Sequence, residues 1–354
     1  MTRYSMMQHS ALLLLCALAV AVAGGCSDDL PNTPIPPDNV DGVYVLNEGN
    51  FQRANASLSF YVPAGDSLYN DVFTAVNGRD LGDTGNSLTI HDGRAYIVVN
   101  GSNRIEVINT RTHAFVHTIV CPPGASPRQI AFDANGVGYI SNLYANSVSI
   151  YDPATRTIMG EVAVGANPEG LLVAGGHVFV ANSGFGSGRT VSAISTATRT
   201  VVAAIPVGDN PQAIVAVDAT TALVLCTGAY NDWSDPNDDT PGTLYWIDLA
   251  DRGVKDSLVL GGHPQRLAVD ARGHAYTVAE DGITRVDLAT KQITPRFIPG
   301  SFYGLAVASS LKRIYVTEPL DYVQSGRFVV YSDAGVRLAA HAAGIIPGAI
   351  AIVE

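Results

Sequence analysis

The sequence predicts an all-β domain, a seven-bladed β-propeller built from four-stranded antiparallel blades. The segment from Pro127 to Pro168 contains four short runs rich in β-branched and aromatic residues, and turn residues such as Asp152-Pro153 separate them. This segment therefore has the pattern of one four-stranded unit. A four-stranded unit that recurs about every forty residues is typical of a propeller blade.

Two counts along the chain give the number of blades. The first count follows the inner strands, where an apolar residue lies three positions after the repeat proline or its equivalent, at Leu88, Ile130, Leu171, Ile214, Leu267, Leu305 and Ile350. The second count follows the third strands, whose runs begin at residues 57, 104, 147, 190, 243, 282 and 327. Because both counts give seven, we expect seven blades.

The two ends of the domain each hold only part of a repeat. The run from Asp41 to Asn47 aligns with a second strand, and the run from Ala349 to Val353 aligns with a first strand. Pairing of the C-terminal strand with the N-terminal strands of blade one closes the ring and leaves no exposed sheet edge. The propeller is therefore predicted to span residues 41–354.

Residues 1–25 have the pattern of a secretion signal. Arg3 lies in a polar segment, and the apolar stretch from Ala11 to Ala23 is too short to span a bilayer as a helix. Small residues directly precede Cys26, which resembles the lipobox of bacterial lipoproteins. Cys26 is therefore predicted to be the lipidated first residue of the mature chain, followed by a proline-rich tether over residues 26–40. An ordinary signal peptide is the alternative.

The charge of the chain argues against nucleic acid as a partner. Its 21 Lys and Arg against 32 Asp and Glu give a net charge of −11. Removal of residues 1–25, which hold Arg3 and no acidic residue, makes the charge −12. Phosphate binding needs a basic surface. Cys121 and Cys226 fall in distant blades, so we expect two separate thiols, Cys226 in a strand and Cys121 in a loop.

Three segments depart from the short loops of the repeat. They are Asn70 to Asn86, Gly228 to Gly242 and Glu318 to Gly326. Loops between second and third strands lie on the same face of a propeller as the loops that link one blade to the next. We therefore expect all three insertions to decorate one rim, and loops that a rigid scaffold positions are common binding sites.

Two sets of polar residues are predicted at the mouth of the central channel. Residues that end the second strands form the first ring, which comprises Asn47, Asn100, Asn142, Asn182, Thr227, Glu280 and Glu318. Residues that follow the blade-linking loops form the second ring, which comprises Asn86, Arg128, Glu169, Gln212, Gln265, Arg266 and Tyr303. Both rings are candidate ligand contacts. An asparagine at a strand end also caps the following turn, which is the structural alternative.

Aromatic residues on the loops of the same face are further candidates. The blade-five loop carries Tyr230 and Trp233, and corresponding loops carry Phe51, Phe185 and Tyr322. Tyr144, in the segment from Pro127 to Pro168, is a further candidate. Exposed aromatic side chains next to polar groups are typical anchors for a sugar, a planar ligand or a protein surface. The same blade-five loop also holds Asp232, Asp235, Asp238 and Asp239. A calcium site is an alternative for these acids, although the EF-hand spacing and its glycine are missing.

The second-strand pattern Tyr139 to Asn142, with Val178 to Asn182, resembles the YVTN-repeat, YncE-like family of seven-bladed propellers. The runs Val45 to Asn50 and Asn77 to Asp83, with Pro127-Arg128, are similar to the DUF5074 branch, which includes cobalamin-capturing surface lipoproteins of the Bacteroidetes. The resemblance implies a ligand-capturing or partner-docking surface lipoprotein. It also draws attention to a set of residues that either bind ligand or fold the first blade, namely Asn47, Glu48, Arg79 and Asp83.

Catalytic signatures are poor in this sequence. No G-x-S-x-G, H-E-x-x-H or phosphate-loop motif appears, and no cofactor is expected. The first hypothesis is a non-catalytic outer-membrane surface lipoprotein that binds a small nutrient, in one version a corrinoid, and hands it to a TonB-dependent transporter. The second is a protein-interaction or adhesion propeller of the cell envelope. The third is a propeller enzyme, a lactonase or quinoprotein-like dehydrogenase, which fold analogy alone supports.

Overall fold

The computed structural model describes residues 34–230 and 238–353. In these residues the chain forms seven four-stranded antiparallel sheets, which confirms the predicted seven-bladed propeller. The strands of blades 1 to 3 are, in chain order, β1 Gly42–Asn47, β2 Ser57–Val62, β3 Ser67–Tyr69, β4 Gly85–His91, β5 Arg94–Val99, β6 Arg104–Asn109, β7 Phe115–Val120, β8 Pro127–Phe132, β9 Gly138–Asn142, β10 Ser147–Asp152 and β11 Thr157–Ala163.

Blades 4 to 7 continue the same order, and each blade runs from its inner strand to its outer strand along the chain. Their strands are β12 Pro168–Ala174, β13 His177–Asn182, β14 Thr190–Ser195, β15 Thr200–Pro206, β16 Pro211–Ala216, β17 Thr221–Cys226, β18 Thr243–Asp248, β19 Gly253–Val259, β20 Gln265–Val269, β21 His274–Ala279, β22 Gly282–Asp287, β23 Ile293–Pro299, β24 Leu305–Ala308, β25 Arg313–Glu318, β26 Ser325–Ser332 and β27 Arg337–Ile345. One α-helix is described, α1 Val72–Asn77, with 3₁₀ turns at Pro63–Gly65 and Gly184–Gly186.

The last strand, β28 Pro347–Val353, closes the ring as predicted. It pairs antiparallel with β1, with Ala351 opposite Tyr44 and Ile350 opposite Val45, and so becomes the inner strand of blade 1. The hydroxyl of Thr317 in blade 7 donates to the carbonyl of Pro347 over 2.5 Å. The closing strand is therefore bonded to its own blade and to the preceding one.

The core lies between the blades, where the second strands are almost completely buried. An aromatic residue occupies the same place in the second strands of six blades, and these residues are Tyr44, Tyr96, Tyr139, Phe179, Tyr276 and Tyr315. Some of the buried hydroxyls have polar partners, as when Tyr276 donates to Asp270 over 2.9 Å. This packing fixes the blades relative to one another, since close-packed interiors deform little.

The inserted segment Asn70 to Asn86 does not lie wholly on the rim, which corrects the sequence prediction. Its first half forms α1, whose Val72 and Phe73 are fully buried against blade 1. The side chain of Asn77 accepts from the backbone N–H of Phe115 in the outer strand of blade 2, over 2.7 Å. Because β3 has only three residues, this helix fills the seam that a longer fourth strand would cover.

The chain enters the propeller beside the turn between β6 and β7. The backbone N–H of Asn39 donates to the carbonyl of Arg111 over 2.8 Å. The Arg111 guanidinium also pairs with Asp41, with 2.8 Å between Nη1 and Oδ1. Turns between third and fourth strands lie on the face opposite the blade-linking loops, because adjacent strands are antiparallel.

Both cysteines among the described residues are buried and free, Cys226 in β17 and Cys121 just after β7, as the sequence predicts. No helix in the described part of the chain is long and apolar enough to cross a membrane. The predicted signal, the lipidation residue Cys26 and the tether up to residue 33 lie outside the described residues, and so do Asp232, Trp233 and Asp235 of the blade-five loop.

Candidate ligand site

The residues that follow the blade-linking loops meet around one central cavity of ≈ 440 Å³, which we call the mouth cavity. The inner strands start at the channel mouth, so the first residues of each strand face the same space. All seven residues of the second predicted ring line it, namely Asn86, Arg128, Glu169, Gln212, Gln265, Arg266 and Tyr303. The structure therefore brings together six different blades at a single site.

Two arginines of the mouth cavity are held in place by neighbouring residues. Arg128 donates from Nε to Oε2 of Glu169 over 2.7 Å. Arg266 donates from Nε to the carbonyl of Tyr303 over 3.1 Å, and its guanidinium lies 5.0 Å from the centre of the Tyr303 ring. These contacts fix the direction in which both arginines point.

Glu48 lies behind Arg266, with 3.7 Å between its Oε1 and Nη2 of the arginine. Only 17% of its side chain is exposed. Burial raises the pKa of Glu48 above its usual range, and Arg266, a hydrogen bond with Tyr303 and the charge of Arg128 offset that rise in part. Glu48 is therefore a carboxylate that takes up a proton more readily than one in water.

The rest of the mouth cavity is lined by uncharged polar groups and by apolar residues of the inner strands, such as Ile214 and Leu267. The amide of Gln212 donates to Oδ1 of Asn210 over 2.7 Å, and Gln129 accepts from the backbone N–H of Leu171 over 2.8 Å. The hydroxyl of Thr227 is buried, lines the cavity and has no hydrogen-bond partner among the described residues. A buried polar atom without a partner is uncommon in folded proteins.

The sequence interpretation missed Gln129 and Asn210 as residues of the mouth cavity. Gln129 directly follows Arg128, and Asn210 directly precedes the repeat proline Pro211. The signal was present in both cases, because each residue lies within two positions of a repeat proline, where an inner strand starts.

Three of the predicted strand-end asparagines are buried within their own blades. Asn47, Asn142 and Asn182 are at most 1% exposed. Each donates from Nδ2 to hydroxyl groups of the third strand, as Asn47 does to Ser57 over 3.1 Å and to Ser59 over 3.0 Å. Asn100 is less buried and donates to Ser126 and to the carbonyl of Pro127. These contacts give the asparagines a structural role at the strand ends.

Other predicted residues lie outside the mouth cavity. Arg79 forms a two-point pair with Glu106, with 2.7 Å between Nη2 and Oε2. Asp83 accepts from the backbone N–H of Gln52 over 3.0 Å. Glu318 pairs with Arg327 over 3.4 Å, and Glu280 is exposed beyond the end of β21. The two acids of the first ring thus flank the cavity and do not line it.

The described aromatic residues of the loop-rich face are exposed around the mouth cavity. Tyr230 lines the cavity and stacks on His263, with 3.7 Å between ring centres. Tyr144 and Phe185 lie 6.0 Å apart, and Phe51 is 70% exposed. Tyr322 lies 6.0 Å from Tyr303, edge to face. Together they form a rim, which we call the aromatic rim.

Two residues of the aromatic rim have a backbone conformation that disfavours bulky side chains. The φ angle is 51° at Phe185 and 61° at Tyr322. This left-handed conformation costs about 1–2 kcal/mol for a residue with a Cβ atom. The fold holds both residues in this conformation at some cost in stability, which is common in binding sites.

The calcium alternative rests on acids that the structure describes only in part. Oδ2 of Asp239 lies 3.4 Å from Nε2 of His263. Within residues 34–230 and 238–353, no group of three or more His, Cys, Asp or Glu side chains is arranged to hold a metal ion. The calcium site stays a hypothesis about the blade-five loop.

Comparison with known families gives one match. The model of a domain of unknown function, DUF5074, matches residues 41–220, which is the branch that the first-blade motifs predicted. No curated protein matches the chain.

Solved structures with the same fold include proteins of different kinds. A functionally unknown protein from Desulfotomaculum acetoxidans has a TM-score of 0.67 and 12% identity over 89% of this chain and 99% of its own. A quinoprotein alcohol dehydrogenase-like protein from Bacteroides thetaiotaomicron has a TM-score of 0.65 and 15% identity, over 88% of this chain and 78% of its own. The hydrazine synthase of Kuenenia stuttgartiensis has a TM-score of 0.64 and 17% identity, over 75% of this chain and 88% of its own. At these identities the likeness concerns the fold alone.

Proposed function

The chain belongs to the DUF5074 family of domains of unknown function, and we propose that it is a non-catalytic protein that binds a small polar ligand in the mouth cavity. The observation that carries the proposal is the convergence of polar residues from six blades on one cavity of ≈ 440 Å³. This volume lies within the range of about 300–1,000 Å³ that small-molecule sites occupy.

Rigid blades make such a site effective. Arg128 and Arg266 are each held by a neighbouring blade, so little side-chain entropy is lost when a ligand binds. The aromatic rim adds apolar surface around the opening. A corrinoid is a broad ring with amide side chains, and it would place those amides among the polar groups of the cavity while its ring edge meets the aromatic rim.

We propose further that the domain is tethered to the outer membrane through Cys26 and passes its ligand to a transporter. The apolar stretch from Ala11 to Ala23 and the small residues before Cys26 support this part of the proposal. Cys26→Ser should move the protein from the membrane fraction to the soluble fraction of its host. Retention of the variant in the membrane fraction would contradict the proposed lipid anchor. It would not bear on the proposal for the ligand site.

The ligand proposal is tested by blocking the mouth cavity. Gln265 is exposed at the cavity lining, so Gln265→Trp fills the opening without removing a buried contact. We expect cyanocobalamin, or another corrinoid from a panel, to bind the native protein at micromolar concentration in calorimetry. The Trp variant should weaken that binding at least about tenfold, because the bulky ring occupies the ligand's space.

Gln292→Trp is the matched control, since Gln292 is exposed in the same blade on the opposite face. It should bind as the native protein does. Absence of binding to the native protein would exclude corrinoids. Equal loss in both variants would show that the mouth cavity is not the site.

Protein binding is the second candidate, and the aromatic rim favours it because exposed aromatic residues are common binding hot spots. Capture from solubilised envelopes separates the two. A recovered transporter supports uptake, and recovery of other surface proteins alone supports adhesion. The combined change of Phe51 and Phe185 to Ala should abolish either capture.

A further inference from the structure

We propose that the mouth cavity holds its ligand by an anionic group, a carboxylate or a phosphate ester, bound between the guanidinium groups of Arg128 and Arg266. The inference rests on the proposed function, because it names the chemistry that the same cavity recognises. Arg128 comes from blade 3 and Arg266 from blade 6, so the two positive charges approach the cavity from different sides.

Each of the two arginines is held by a hydrogen bond from its Nε atom only. Arg128 bonds Glu169 through Nε, and Arg266 bonds the Tyr303 carbonyl through Nε. Among the described residues, no group accepts a hydrogen bond from the Nη atoms of either side chain. Nη2 of Arg266 lies 3.7 Å from Oε1 of Glu48, which is an ion pair beyond hydrogen-bond distance. Each guanidinium therefore has donors left to offer an occupant of the cavity.

This geometry suits an oxyanion. A guanidinium is planar, always charged, and presents paired N–H donors that match a carboxylate or phosphate. A lysine in either place would supply charge without that paired geometry. The amides of Gln212 and Asn86 lie in the same cavity and can bind the neutral part of the ligand.

The charge of the mouth cavity depends on Glu48. With Glu48 and Glu169 both ionised, two carboxylates balance the two arginines; with Glu48 protonated, one positive charge is left over. The charged and titratable groups that face Glu48 are Arg266 from blade 6, Tyr303 from blade 7 and Arg128 from blade 3. Burial raises the pKa of Glu48, so the acid form is easier to reach than in water.

Anion binding should therefore take up a proton at Glu48. The sign follows from the charges, because deprotonated Glu48 repels the ligand anion and protonated Glu48 does not. Affinity should rise as the pH falls through the pKa of Glu48, by up to about tenfold per pH unit. Glu48→Gln should bind more tightly at neutral pH and lose this pH dependence.

The experiment uses three probes of similar shape, benzoate, phenyl phosphate and neutral benzyl alcohol, with affinities measured by NMR titration. We expect both anions to bind the native protein more tightly than benzyl alcohol. Arg128→Gln and Arg266→Gln should each weaken anion binding about 10- to 100-fold, the range for a lost charge-assisted contact. Arg327→Gln is the control, since Arg327 is exposed and pairs with Glu318 outside the mouth cavity.

The outcomes are distinct. Tighter phenyl phosphate binding assigns a phosphate ester, and tighter benzoate binding assigns a carboxylate. Equal affinity for benzyl alcohol, or anion binding that survives both Arg128→Gln and Arg266→Gln, overturns the inference. Should a corrinoid be blocked by Gln265→Trp and yet be unaffected by either arginine variant, the proposed function stands and the anionic group fails.

Discussion

Deletion of residues 347–354 is expected to leave no cooperatively folded monomer. These residues include all of β28, the inner strand of blade 1 and the partner of β1 along its whole length. Their loss exposes the edge of β1 and removes the contact with Thr317 of blade 7. A domain is stable by only about 5–15 kcal/mol, and loss of a complete inner strand should exceed that margin.

Near-ultraviolet circular dichroism during urea unfolding, combined with size-exclusion chromatography, measures this effect. We expect the truncated chain to aggregate or to lose its cooperative transition. Addition of a synthetic peptide of residues 347–354 should restore part of the signal. Removal of Glu354 alone is the control and should change nothing. A monomeric truncated protein with an unchanged urea midpoint would disprove the closing role of β28.

Arg79→Ala should destabilise the protein by about 2–4 kcal/mol, because it removes one partner of a buried carboxylate. Glu106 is 1% exposed and receives two hydrogen bonds from Arg79, of 3.1 and 2.7 Å. The guanidinium also lies over the rings of Phe73 and Phe115, at 4.8 and 4.6 Å. Arg104 still pairs with Glu106 in the variant, which keeps the loss below that of an isolated buried charge.

The control for Arg79→Ala is Arg327→Ala, which breaks an exposed pair and should cost less than about 1 kcal/mol. Urea midpoints of the two variants give the comparison. Equal losses of stability in the two variants would mean that burial of Glu106 adds nothing to the contribution of its pair with Arg79.

The pH gives a second readout of the Arg79–Glu106 pair. Burial acts to raise the pKa of Glu106, but the bonds from Arg79 and Thr118 and the charges of Arg79 and Arg104 lower it overall. Its contribution to stability is therefore complete above the pKa of an unfolded glutamate and is lost as the pH falls through the lower folded value. Arg79→Ala should reduce this acid sensitivity.

The blades could be predicted from the sequence because each repeats the same alternation of apolar runs and turns. The prediction failed at Asn70 to Asn86, where length suggested a loop and the chain formed α1. Burial of Val72 and Phe73 depends on the short β3 beside them. That contact belongs to the tertiary structure, and no pattern in the neighbouring sequence predicts it. Sequence periodicity fixes elements that repeat and is silent about those that occur once.

The mouth cavity was predictable in part for the same reason. Its second-ring residues follow each repeat proline, so alignment of the repeats found them. The burial of Asn47 had a readable signal too, because Ser57 and Ser59 alternate on the third strand and therefore face the same side. The pairing of Glu48 with Arg266 joins blades 1 and 6, and no spacing of residues in the sequence predicts it.

The docking of Asn39 and Asp41 on the turn at Arg111 places the start of the propeller on the face opposite the mouth cavity. A pulling force applied at Asn39 would therefore act first on the turn between β6 and β7 in blade 2. The starts of the inner strands that line the mouth cavity lie at the other end of the blades, so such a load would not act on them directly.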